Sequence, residues 1–219
     1  MTDADASVSD TTPGATPTHA SAPARGELAY RQEVWRKLLH LFALTIPIGY
    51  HFVAVHTASI ICFVAFTVSL LVDLSRMRNW SIQRHWVKWT EPIVRPKERT
   101  GFTGATNILA SAWLCPLLFS TPAAAMGMVA IILGDSAAAL VGRRWGRHRI
   151  RTGRTVEGSL AFLGAALVGG ILIPSIPIAI SVPGAVIAAI VEAMTRRVDD
   201  NLSVPLIVGL FTDIALKSL

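Results

Sequence analysis

Asp135 is a carboxylate inside an otherwise apolar run, Gly134-Asp135-Ser136-Ala137-Ala138. It lies six residues before Val141, roughly 9 Å from that end of a helix rising 1.5 Å per residue. An ionised carboxylate at such depth costs a few kcal/mol, so it is either functional or paired. Gly134, Ala138 and Gly142 recur every four residues beside it. Such small residues either form a packing seam between helices or clear space for a ligand near a metal-binding carboxylate. The residue types alone leave both readings open.

The following segment, 142–158, holds six arginines and four glycines and ends in Glu157-Gly158. Guanidinium groups pair with phosphate oxygens in a two-pronged fashion, and glycines let backbone N–H groups approach them. Gly142, Arg143, Arg144, Gly146, Arg154 and Gly158 are therefore candidate phosphate-binding residues; the alternative is ordinary charge at a membrane face. A third group, Glu192 with Asp199, Asp200 and Asn201, supplies the hard oxygen atoms that suit Mg²⁺. A solvated loop with local Asp–Arg pairs is the plainer account of Asp199 by itself.

The elements that must position these residues are read from hydropathy. The 219 residues are 52% hydrophobic and only 16% charged, with a mean hydropathy of +0.52. Seven apolar segments approach the roughly 20 residues that span a bilayer: 38–55, 57–74, 101–120, 122–141, 156–173, 177–194 and 202–216. The expected fold is all-α, a polytopic transmembrane bundle of about seven spans. Of the 20 Lys and Arg residues, all but Lys217 fall on one side of this arrangement, which places the N-terminus in the cytoplasm and the charged loops on the cytoplasmic face of a cell membrane. That distribution fits a membrane, and no nucleic acid partner is expected. Residues 1–27, rich in Ala, Thr, Ser and Pro, read as a disordered tail ahead of a single membrane domain, 28–219. Ile82, Trp86, Trp89 and Ile93 share one face of a helix lying in the interface, either an anchor or a gate for lipid. The 101–107 stretch, with Thr103 and Thr106, either lines a lipid or nucleotide pocket or allows close packing. Cys62 and Cys115 both fall within spans and read as packing residues.

Arg36-Lys37 with His40, Gly134-Asp135 with Gly142 and Gly146, Glu157-Gly158, Glu192, and Asp199-Asp200-Asn201 with Pro205 together resemble the polyprenol kinase family. This family includes dolichol, phytol and farnesol kinases and the yeast-type CTP-dependent diacylglycerol kinase. The resemblance runs from about Arg36 to the C-terminus. It implies a CTP-dependent kinase moving a γ-phosphoryl group to the hydroxyl of a lipid alcohol of the isoprenoid type, or of diacylglycerol, with Mg²⁺ as cofactor. Asp135 and Glu157 would be catalytic. They and Glu192, Asp199 and Asp200 would bind metal, while Gly142, Arg143, Arg144, Gly146, Arg154, Gly158 and Asn201 would hold the nucleotide. Family members often carry Lys shortly before the Glu-Gly pair; this chain has Arg154 three residues earlier, a fork in place of a point charge. Two other activities fit a bilayer protein with buried carboxylates: a cytidylyltransferase forming CDP-lipids, and a transporter.

Overall fold

The computed structural model describes residues 25–78, 101–150, 152–195 and 198–219. The described residues are all-helical, with seven helices of fifteen residues or more and one short one. In chain order these are α1 (Arg25–Phe42), α2 (Thr45–Gly49), α3 (Val55–Met77), α4 (Gly104–Leu118), α5 (Thr121–Trp145), α6 (Val156–Ile171), α7 (Ile178–Met194) and α8 (Asp200–Lys217). Of the tail expected over residues 1–27, residues 1–24 lie outside the described residues, as does the interfacial helix around Trp86, whereas residues 25–27 belong to α1.

The helix ends follow from local chemistry. Thr103, Thr155 and Asp199 cap α4, α6 and α8, each side chain accepting a hydrogen bond from an N–H of the first turn. Pro122 sits in the first turn of α5, where its missing N–H costs nothing, and α5 stops at Gly146. The expected continuous segment 38–55 is instead broken. α1 begins at Arg25 and ends at Phe42, a turn follows at Ala43 and Leu44, and α2 takes up the chain. Pro47 is the physical cause, because it offers no N–H to the carbonyl of Ala43 four residues earlier and its ring crowds that carbonyl. The Ala43 carbonyl accepts from Ile46 instead, at 3.0 Å.

α5 is the central helix and packs against α1, α2, α4, α6, α7 and α8. Ala123, Ala124, Met126, Met128, Ile131 and Ile132 are fully buried along it. A side chain at Gly127 would run into the backbone of Pro205, so α5 and α8 cross at close range there. α3 packs along α4 and exposes Ile60, Ile61, Phe63, Val64, Val68 and Leu71. α7 presents Ile178, Val182, Val186 and Ile190, spaced by four, as a second exposed apolar stripe. Outward apolar surface on this scale marks a membrane or a protein interface. α3 and α5 are long and apolar enough to cross a membrane, and α4, α6 and α7 are shorter apolar helices.

The buried carboxylates Asp73 and Asp213 have structural partners. Asp73 of α3 accepts from Thr103 N at 2.7 Å, from the Thr106 hydroxyl at 2.7 Å and from Arg76 at 3.0 Å. Arg76 also donates to the Gly101 carbonyl at 2.7 Å. The hydroxyls at 103 and 106 thus clasp α3 to the start of α4, which is the packing alternative of the two readings of that stretch. At the other end, Asp213 joins Ser120 N (2.9 Å) to Lys217 (2.5 Å).

Candidate active site

The segment between α5 and α6 folds as a small hairpin. Val156 N–H donates to the His148 carbonyl and Ile150 N–H to the Arg154 carbonyl, both at 2.9 Å. Gly153 makes the turn with φ +84°, where a side chain is strained. The hairpin throws Arg149 and Arg154 over the end of α5.

Together they bound a cleft of about 450 Å³. One wall is the α5 face carrying Asp135, Ala138, Ala139, Gly142, Arg143 and Gly146. The hairpin and the first turn of α6 supply Arg149, Gly153, Arg154, Thr155, Gly158 and Ser159. Glu192 from the last turn of α7 and Asp200 from the first turn of α8 complete it. Two stretches, 135–159 and 192–200, thus meet at one end of the bundle.

Ion pairs tie the lining together. Arg154 binds the carboxylate and the main-chain carbonyl of Glu192, and reaches Asp200 Oδ2 with its other nitrogen at 2.8 Å. Asp135 is paired with Lys37 of α1, whose side chain is almost fully buried, and His40 Nε2 stands 3.7 Å from the same carboxylate, beyond hydrogen-bond reach. Glu33, one turn earlier on α1, joins Arg36 to Arg143 at the cleft, the latter at 2.7 Å. Asp200 lies ahead of the apolar segment 202–216. Its carboxyl is pushed up, first by burial, then by the charges of Asp135 and Asp199.

Other expected residues lie elsewhere. Glu157 lies outside the cleft lining and accepts from His148 Nδ1 at 2.7 Å. Asp199 is occupied as the cap of α8, accepting from the side-chain amide of Asn201 at 2.7 Å. Asn201 is buried, and its carbonyl accepts from the Ser111 hydroxyl at 2.7 Å. Arg144 lies over the ring of Trp145, 5.3 Å from its centre. The glycine spacing has a packing cause: a Cβ on Gly142 or Gly158 would stand 2.8 or 2.9 Å from the Thr155 hydroxyl, and one on Gly146 would also strike Thr155. These glycines make room for the side chain that caps α6, while still leaving the cleft wall bare.

Among the described residues, no three of His, Cys, Asp and Glu form a cage for a metal ion. The donor set still fits Mg²⁺, which keeps several waters and is commonly held by one or two carboxylates together with substrate phosphates. Asp135 and Asp200 line one cleft, where the charge of Asp135 helps to raise the Asp200 carboxyl, a repulsion that a divalent cation would relieve.

Three proteins of known sequence are similar to the chain. An uncharacterized protein of Rickettsia prowazekii is 28% identical over 189 residues, 82% of this chain and 92% of that protein. The CTP-dependent diacylglycerol kinase 1 of Schizosaccharomyces pombe is 29% identical over 139 residues, 59% of this chain. The phytol kinase of Synechocystis is 36% identical over 93 residues, 38% of this chain. The chain spans 62% and 40% of the length of these two kinases. No protein-family model matches the chain, and no solved structure does.

Proposed function

We propose that the protein is a CTP-dependent kinase that transfers the γ-phosphoryl group to the hydroxyl of a membrane lipid alcohol, of isoprenoid or diacylglycerol type. The observation that carries this reading is the convergence of Asp135, Glu192 and Asp200 with Arg143, Arg149 and Arg154 in one cleft at the end of an apolar bundle. Phosphoryl transfer needs little covalent chemistry from a protein; it needs positioning and neutralisation of triphosphate charge. The partial similarity to two lipid kinases supports the same reading.

In this proposal the bundle spans the bilayer seven times with its N-terminus in the cytoplasm. α1 and α2 together make the first crossing, and the cleft opens on the cytoplasmic face. Nucleotide then docks from water and the lipid hydroxyl arrives from the apolar side. Arg143 and Arg149 hold phosphate oxygens. Arg154 keeps Glu192 and Asp200 in register and presents its guanidinium to the cleft. Asp135 and Asp200 would hold Mg²⁺, which would neutralise charge on the nucleotide phosphates. Lys37 holds the Asp135 carboxylate in place and compensates its charge while the cleft is empty.

Label transfer from CTP tests the assignment. A kinase moves label from the γ position to lipid. Label moving from the α position instead identifies a cytidylyltransferase, and movement of neither, with phytol and diacylglycerol both supplied, sinks the enzymatic reading.

A further inference from the structure

We infer that Ser159 and Glu192 form the seat for the acceptor hydroxyl, with the Ser159 hydroxyl donating to the alcohol oxygen and the free carboxylate oxygen of Glu192 accepting its hydrogen. The assignment rests on the kinase reading and names a part of that same cleft. Two lining residues carry buried side-chain oxygens without a hydrogen-bond partner: Ser159 Oγ and Glu192 Oε2. Leaving such atoms unsatisfied is costly, so each calls for a partner that arrives from outside the fold.

Their environment makes the vacancies specific. A serine within a helix ordinarily satisfies its hydroxyl on the carbonyl four residues earlier. Ser136 does so on Ile132 at 2.7 Å, and Ser181 on Pro177 at 3.3 Å. Ser159 does not, although its own N–H uses the carbonyl of Thr155 at 3.0 Å. Glu192 is buried and commits Oε1 to Arg154, which leaves Oε2 over. One atom can donate and the other only accept while ionised. An alcohol O–H meets both, since it accepts at oxygen and donates through hydrogen. A phosphate oxygen would satisfy Ser159 and repel Glu192. The two residues stand on α6 and α7, helices that pack together. Both helices turn apolar side chains outward, Leu160 from α6 and Ile190 from α7, on the surface from which a lipid would enter.

The test uses the full chain in detergent micelles with phytol as probe and phytane, which lacks the hydroxyl, as competitor. Wild type is expected to bind tritiated phytol and to resist displacement by phytane. Ser159→Ala, a change that favours helix, should bind phytol about tenfold more weakly, the scale of one lost hydrogen bond. It should also lose most of its preference for phytol over phytane, with unchanged affinity for CTP. Ser159→Thr, which keeps the hydroxyl, should restore the preference. Wild-type preference in Ser159→Ala, or an equal loss of CTP affinity, overturns the seat. The kinase reading is judged separately by transfer of γ-label in wild type. Selective phytol binding without transfer would leave the seat standing and remove the kinase.

Discussion

Lys37 and Asp135, 98 residues apart in sequence, form an ion pair between a buried lysine and a half-buried carboxylate that pins α1 to the centre of the bundle. Each charge is tolerated because of the other. Removing one partner of a fully buried pair costs roughly 3–5 kcal/mol, the upper bound for this half-buried one, since the remaining charge is left uncompensated. Asp135→Asn is therefore expected to abolish phosphoryl transfer and also to lower thermal stability. Adding Lys37→Met should recover much of that stability without recovering activity. A double-mutant cycle on unfolding, run beside the label-transfer assay, checks both outcomes. Wild-type turnover in Asp135→Asn would make Asp135 a packing residue.

Arg154 spans two carboxylates with two nitrogens, and a lysine ammonium cannot reproduce that fork. Arg154→Lys should lose about 1.5–3 kcal/mol of stability, the range for one hydrogen bond to a charged group. It should also raise the KM for CTP. Thermal unfolding and steady-state kinetics measure the two effects, and an unchanged unfolding midpoint would show that the fork contributes nothing to the fold.

Metal dependence separates the acidic residues. Asp200→Asn should cut the gain in CTP affinity from Mg²⁺ by at least the roughly 10–100-fold that loss of an outer-shell partner costs a metal site. Glu157→Gln should leave that gain largely intact, because Glu157 lies outside the cleft and binds His148. Since burial raises the Asp200 carboxyl from its ordinary value, the Mg²⁺ gain should shrink as pH falls and the carboxyl takes up its proton. Nucleotide titrations with and without Mg²⁺, at several pH values, read all three. Equal losses in the two variants would put Glu157 back among the ligands.

Topology is open to chemical labelling. Cysteines placed at Arg84, Arg147 and Val198 should react with an impermeant reagent only after the membrane is opened. Reaction of any of them in sealed cells reverses the proposed orientation.

The sequence shows Asp135, the arginine-rich hairpin and the acidic groups of α7 and α8 because charge inside apolar runs is conspicuous in one dimension. It shows the helical segments for the same reason. What it conceals depends on distance in space. Lys37 stands out in the Arg36-Lys37 and His40 motif, but its pairing with Asp135 is visible only in the fold. Glu33 gives no signal at all, since its two partners are Arg36 on its own helix and Arg143 more than a hundred residues away. Glu157 and Asp199 carry the right chemistry in the right neighbourhood, yet a hairpin histidine and a helix cap engage them. The break at Ala43 was legible in Pro47, but continuous hydropathy outweighed it.

The crowding around Thr155 has a genetic consequence. Its side chain fills the space left by Gly142, Gly146 and Gly158, so these positions are not free to mutate one at a time. The obstacle differs among them. At Gly146 and Gly158 a methyl group also meets main-chain carbonyls, whereas at Gly142 the only other neighbour is the Cα of Gly158 at 3.6 Å. A selection for revertants of Gly142→Ala should accordingly return Thr155→Ala, which removes the obstructing hydroxyl, as a second-site suppressor. The same selection begun from Gly146→Ala should return only the glycine.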